Sequence, residues 1–118
     1  MTPLGRAVYN ILRRRAELAE PRVTYAALAA QLRESHEDFD TLNHRSQQLY
    51  AALTEVGKHC RKLKLPSLPA LVVRADTKRP GSAYFAGKCS GIALRREQLG
   101  AWWNEVEAVK RTRYPACK

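Results

Sequence analysis

The chain has 118 residues, enough for one domain around one core. Its 45% hydrophobic residues exclude a disordered polyelectrolyte, and no run approaches the ~20 apolar residues of a membrane span. Lys and Arg number 21 against 11 Asp and Glu, and this charge of +10 points to a polyanionic partner, most commonly nucleic acid.

Thr2-Pro3 opens a helix over Pro3–Leu18, a hydroxyl cap followed by proline in the first turn. Leu4, Val8, Ile11 and Leu18 give it an apolar face, and Arg13, Arg14 and Arg15 suit its electronegative C-terminal end. Pro21 ends the element, and Arg22-Val23-Thr24 is a short extended piece. Thr24 caps a second helix, Tyr25–Leu32, whose alanine-rich body leaves room for another helix, as in the first helix of a helix-turn-helix. Glu34, Glu37, Asp38 and Asp40 then make an acidic loop within Arg33–Asn43. It reads as a solvated turn, or as an element that repels DNA and so fixes which face docks.

A third helix is predicted over Asn43–Lys62. Leu49, Leu53, Val56, Cys60 and Leu63 recur at steps of four and three and form its core stripe. The other face carries His44, Gln47, Thr54, Lys58, Arg61 and Lys62, with Arg45 at the helix start and Glu55 to one side. Gln pairs with adenine edges, and Lys and Arg with guanine or phosphate, so Gln47 is the base-reading candidate. Pro66 and Pro69 stop the helix. Ala70–Arg74 reads as a strand, Asp76–Gly81 as a turn and Ser82–Phe85 as a second strand, together a β-hairpin with Lys78 and Arg79 at its tip. Gly87–Gly91 reads as a loop. A fourth helix over Leu94–Lys110 draws its apolar contacts from Leu99, Trp102, Trp103, Val106 and Val109. The tryptophans read as core and lid, with base stacking as the alternative. A basic, mobile tail is expected from about residue 110.

This order of elements resembles the winged helix-turn-helix class: α+β, mainly helical, one domain, with the hairpin as the wing. Within it, Arg22-Val23-Thr24-Tyr25-Ala26-Ala27-Leu28-Ala29, the pair Val56-Gly57, and Pro66 and Pro69 are similar to the DNA-binding domain of the alkylguanine alkyltransferases and alkyltransferase-like proteins. The likeness covers about Arg22–Val73 and implies a DNA-docking scaffold. It does not carry the chemistry. Where that family has Cys-His-Arg after the proline, this chain has Ala70, Leu71 and Val72, and the family's intercalating arginine falls at Thr54. The chain's size, its basicity and the run Leu65–Val73 also resemble small winged-helix proteins of bacteriophages and mobile elements.

Other chemistry finds little support. Glycines are scattered, without a phosphate-binding loop. His36, His44 and His59 lack metal-ligand spacing, and Cys60, Cys89 and Cys117 form no Cys-x-x-Cys pair and suit a reducing cytoplasm. His59 and Cys60, adjacent on a helix, diverge in direction. The acidic loop lacks the ordered spacing of a calcium site. No catalytic residue, metal or cofactor is expected.

The expectation is therefore a cytoplasmic double-stranded DNA-binding protein, a transcriptional regulator or an architectural protein. Arg45, Gln47, Lys58, Arg61 and Lys62 would serve on the contact helix, and Arg74, Lys78 and Arg79 on the wing. The alternative is a protein-interaction module, such as a phage-type inhibitor of a host protein, acting through the acidic loop and Trp102-Trp103. Monomer and homodimer both fit, with the first or last helix available for self-association.

Overall fold

Thr2 begins the fold as its residue type predicts. In the computed structural model, which describes residues 1–43, 46–75 and 96–115, its hydroxyl accepts the Gly5 N–H at 3.1 Å and caps helix α1, Pro3–Arg15. The buried face of α1 is Gly5, Val8, Tyr9 and Leu12. This is the expected stripe rotated by about one residue. Leu4 and Ile11 flank it half-buried, while Leu18 lies beyond the helix and is 51% exposed. Tyr9 shifts the stripe because its hydroxyl finds a buried-side partner, the Pro115 carbonyl, at 2.7 Å. The helix stops at Arg15, three residues short of the predicted Leu18, and the Arg15 guanidinium donates to the carbonyls of Pro21 and Arg22. Those bonds fold the connection back toward the core.

Strand β1 is Val23–Thr24, and the Thr24 hydroxyl accepts the Ala27 N–H at 3.0 Å to cap α2, Tyr25–Ser35. Tyr25, Leu28, Ala29 and Leu32 are its buried residues. The predicted polar loop contains a 3-10 turn, Glu37–Phe39, and Arg33 donates to the Leu42 carbonyl across it. Glu34, Glu37, Asp38 and Asp40 are exposed there.

Helix α3 runs Gln47–Lys62, starting four residues later than predicted; the Ser46 hydroxyl before it accepts the Asn43 N–H and makes no helix-capping bond. Leu49, Ala52, Leu53, Val56 and Cys60 form its core side. Leu63 does not join them. It lies past the helix end, 42% exposed. The end is a Schellman-type turn: the Leu65 N–H donates to the Cys60 carbonyl at 2.9 Å, and Lys64 sits at φ 58°. In that left-handed conformation a side chain costs ~1 kcal/mol relative to glycine.

The segment after α3 corrects the expected first strand of the hairpin. Residues predicted to begin a strand at Ala70 instead form a 3-10 turn, Leu68–Leu71, and only Val72–Val73 is extended, as β2. Pro69 suits the first turn of a helix and not a central strand. Leu68, Ala70 and Leu71 are all buried. β2 pairs parallel with β1, Val23 against Val72 and Thr24 against Val73, so these strands are not a hairpin. Lys78 and Arg79, the predicted tip, and Ser82–Phe85, its second strand, lie outside the described residues. The described fold is mainly helical with a two-stranded parallel sheet.

Helix α4, Arg96–Lys110, closes the core with Trp102, Val106 and Val109; the Leu99 side chain lies outside the described ones. The Trp102 indole N–H donates to the Ala70 carbonyl at 2.8 Å, and the Glu105 carboxylate accepts the Ser67 N–H at 2.6 Å. The Tyr114 hydroxyl donates to the Pro66 carbonyl at 2.6 Å. The turn between α3 and β2 is thus held from the C-terminal side by three side chains. The stretch expected to be a mobile tail is tied to the body as far as Pro115. Trp103, unlike its neighbour, is 44% exposed and lies under the Arg22 guanidinium.

Candidate nucleic-acid interface

α3 packs against α1 through one side and leaves the other open, and the 3.6-residue period decides which side chains share it. Gln47, Ala51, Thr54, Lys58 and Arg61 fall on the open stripe and all are exposed, with Lys62 beside them. Ala51 sits between the polar residues and adds no bulk, so a surface can approach the backbone closely there. The Thr54 hydroxyl donates to the Tyr50 carbonyl at 3.1 Å, so it is turned onto its own helix.

The acid of this helix is Glu55, and it is engaged elsewhere. Its carboxylate accepts the Thr2 N–H at 2.6 Å and the Thr2 hydroxyl at 2.8 Å. Those bonds favour the ionised form and hold the Glu55 carboxyl below the ordinary range. Gly5 makes room for this arrangement, since a Cβ there would lie 2.7 Å from a Glu55 oxygen. The open stripe therefore carries cations and amides, and its neighbouring negative charge is tied to the N-terminus of α1.

Of the sequence-predicted residues, the structure brings Gln47, Lys58, Arg61 and Lys62 together on α3. Arg74 is exposed on a different element, just past β2. Arg45, Lys78 and Arg79 lie outside the described residues. Sequence reasoning passes over Lys64, an exposed cation one turn beyond the stripe. Its signal is a helix that stops before Pro66 with no glycine to end it.

Nucleophilic chemistry has no foothold at the buried thiol. Cys60 is fully buried, and burial pushes its pKa up, the reverse of thiolate activation. His59 packs edge-on against Tyr9, ring centres 5.1 Å apart. Ala70, where the alkyltransferase resemblance would place the accepting cysteine, is buried with its carbonyl held by Trp102. Gly57 faces Ser67 and Pro69, each 3.8 Å from where its Cβ would stand. Among the described residues no three His, Cys, Asp or Glu side chains converge as metal ligands, and no helix is long and apolar enough to cross a membrane. Compared with known families, characterised proteins and solved structures, the chain matches no family model, no curated protein and no solved structure.

Proposed function

We propose that the chain is a double-stranded DNA-binding protein, a transcriptional regulator or an architectural protein, that docks the open face of α3 on the duplex. The observation that carries this reading is the exposed row Gln47, Thr54, Lys58 and Arg61, with Glu55 bound to Thr2. Net charge of +10 supplies the long-range attraction. Lys58, Arg61 and Lys62 contact phosphate, and Gln47 reads a base edge. Arg74, just past β2, adds a phosphate contact, and Arg45, Lys78 and Arg79 are further candidate DNA contacts.

The central part, Arg22–Val73, serves as an alkyltransferase-like docking scaffold without alkyl transfer. Two observations support this: β1 and β2, at its two ends, pair with each other, and Gly57 of the valine-glycine pair faces Pro69.

A fluorescence-anisotropy titration with a labelled duplex over ~50 to 200 mM salt tests the proposal, because phosphate contacts dominate the salt dependence. Binding that weakens steeply with salt and is lost in the Lys58→Glu/Arg61→Glu variant is the expected result. No duplex binding at the lowest salt overturns it. A protein partner is the second reading, favoured by the exposed Trp103 beneath Arg22. On that reading Trp103→Ala abolishes partner capture while the double charge reversal leaves it intact.

A further inference from the structure

The cations of α3 do not stop where the helix stops. Lys64 is exposed, one turn past Arg61, in a left-handed backbone at φ 58°. Three carbonyls of the last helical turn are already met: His59 by the Leu63 N–H, Arg61 by the Lys64 N–H and Cys60 by the Leu65 N–H. Glycine would make the same turn without the crowding of a Cβ. A cation near a helix C-terminus gains from the macrodipole, but that gain is no larger than the backbone cost, and Arg61 and Lys62 already supply it. What lysine brings to this position is its ammonium.

A second cation, Arg113, precedes a residue that is anchored at the same end. The Tyr114 hydroxyl donates to the carbonyl of Pro66, two residues after Lys64. The Tyr9 hydroxyl donates to the Pro115 carbonyl, and its ring packs edge-on against both His59 and Tyr114. These bonds fix the backbone on the C-terminal side of Arg113, which is exposed. An arginine on an anchored backbone loses less freedom on binding than one on a loose tail. The acid felt by Tyr114 and Cys60 at this end is Glu105, whose carboxylate accepts the Ser67 N–H.

We propose that the C-terminal end of α3 is a phosphate-binding site for the DNA backbone, made by Lys62, Lys64 and Arg113. It rests on the DNA reading above and deepens it. The open stripe faces the groove, and this end grips the strand that flanks it, so that the C-terminal segment is a fixed part of the interface.

The test is a salt titration of duplex binding, with thermal melts, on the full chain and its Lys64→Gly, Lys64→Arg and Arg113→Gln variants. Lys64→Gly is expected to melt higher than the parent yet bind several-fold more weakly at low salt, with its log–log salt slope reduced by about one, the signature of one lost phosphate contact. Arg113→Gln reduces the slope by the same amount with an unchanged melt, and Lys64→Arg keeps it. A parent chain that binds duplex steeply with salt, while Lys64→Gly and Arg113→Gln retain the full slope, overturns this site and leaves the α3 reading standing. A parent chain that binds no duplex overturns both. A Lys64→Gly variant that melts no higher overturns the argument that lysine is kept there for its charge.

Discussion

Glu55, near the middle of α3, accepts both the backbone N–H and the hydroxyl of Thr2, the residue that caps α1. One carboxylate thereby joins the start of the chain to the candidate contact helix and leaves that helix's open face free of acid. Gly5 is part of the same arrangement, because any larger residue meets the carboxylate. Gly5→Ala is expected to be close to neutral in the parent. Alanine gains up to ~1 kcal/mol of helix propensity, and displacing the carboxylate loses about as much in hydrogen bonding. In a Glu55→Ala background the closest obstacle is gone, leaving the Thr2 hydroxyl at 3.2 Å, and Gly5→Ala should stabilise by roughly 0.5–1 kcal/mol. Urea denaturation of the four chains of this double-mutant cycle measures the coupling; strict additivity would mean that the two residues do not interact.

Acid should loosen the same clasp. The Glu55 carboxyl lies below its ordinary range because Thr2 hydrogen-bonds its ionised form, and Glu20 lies below it because of Arg22. A depressed folded-state pKa gives stability that is present above the unfolded value, about 4.3, and lost as pH falls through the folded one. Melting temperature should therefore decline as pH drops below ~5, and Glu55→Gln should flatten part of that decline. Equal slopes for parent and variant would remove Glu55 from the acid response.

At the alkaline end the sign reverses. Burial raises the pKa of the Tyr114 phenol and of the Cys60 thiol, with mutual repulsion adding to the effect on Tyr114. Groups that hold their protons more tightly when folded contribute stability that is intact below their unfolded values and lost as pH rises above them, from about 8.5 for Cys and about 10 for Tyr. Stability should fall as pH passes ~9 to 10, and Tyr114→Phe should soften the fall while lowering stability near neutrality by about 1 kcal/mol through the lost bond to Pro66. Absorbance of tyrosinate against pH follows the phenol directly.

Trp102→Phe isolates one hydrogen bond in the core. It keeps an aromatic ring but leaves the buried Ala70 carbonyl without the indole N–H, a loss of about 1–3 kcal/mol. Trp102→Ala also empties a ring's volume and should cost about 3–5 kcal/mol. Trp103→Phe, on the exposed neighbour, should change stability by less than ~0.5 kcal/mol. Chemical denaturation followed by circular dichroism orders the three; similar losses at Trp102 and Trp103 would contradict their different burial.

Local signals were legible in the sequence. Thr2 and Thr24 announce their helices because a hydroxyl before a helical run has one favourable place to bond, and the period of α3 separates Val56 and Cys60 from Lys58 and Arg61. Misreadings arise where a distant partner decides. Tyr9 looks polar in a pattern of aliphatic residues, yet Pro115 receives its hydroxyl and makes it core. Val72-Val73 reads as a strand on composition, but composition does not reveal that it pairs in parallel with Val23-Thr24, far earlier in the chain. The commitment of Glu55 to Thr2 is likewise invisible at a separation of 53 residues.

The pairing of β1 with β2 also bears on the order in which the molecule assembles. Helices α1, α2 and α3 contain their own backbone bonds and form quickly, whereas the Val23–Val72 register requires closing a loop of about fifty residues first. The turn that delivers β2 stays unfinished longer still, because its Ser67 N–H and Ala70 carbonyl wait for Glu105 and Trp102. During vectorial synthesis the scaffold behind α3 therefore locks only after α4 has emerged from the ribosome, and a nascent chain arrested before Trp102 should remain open to proteolysis around Leu68.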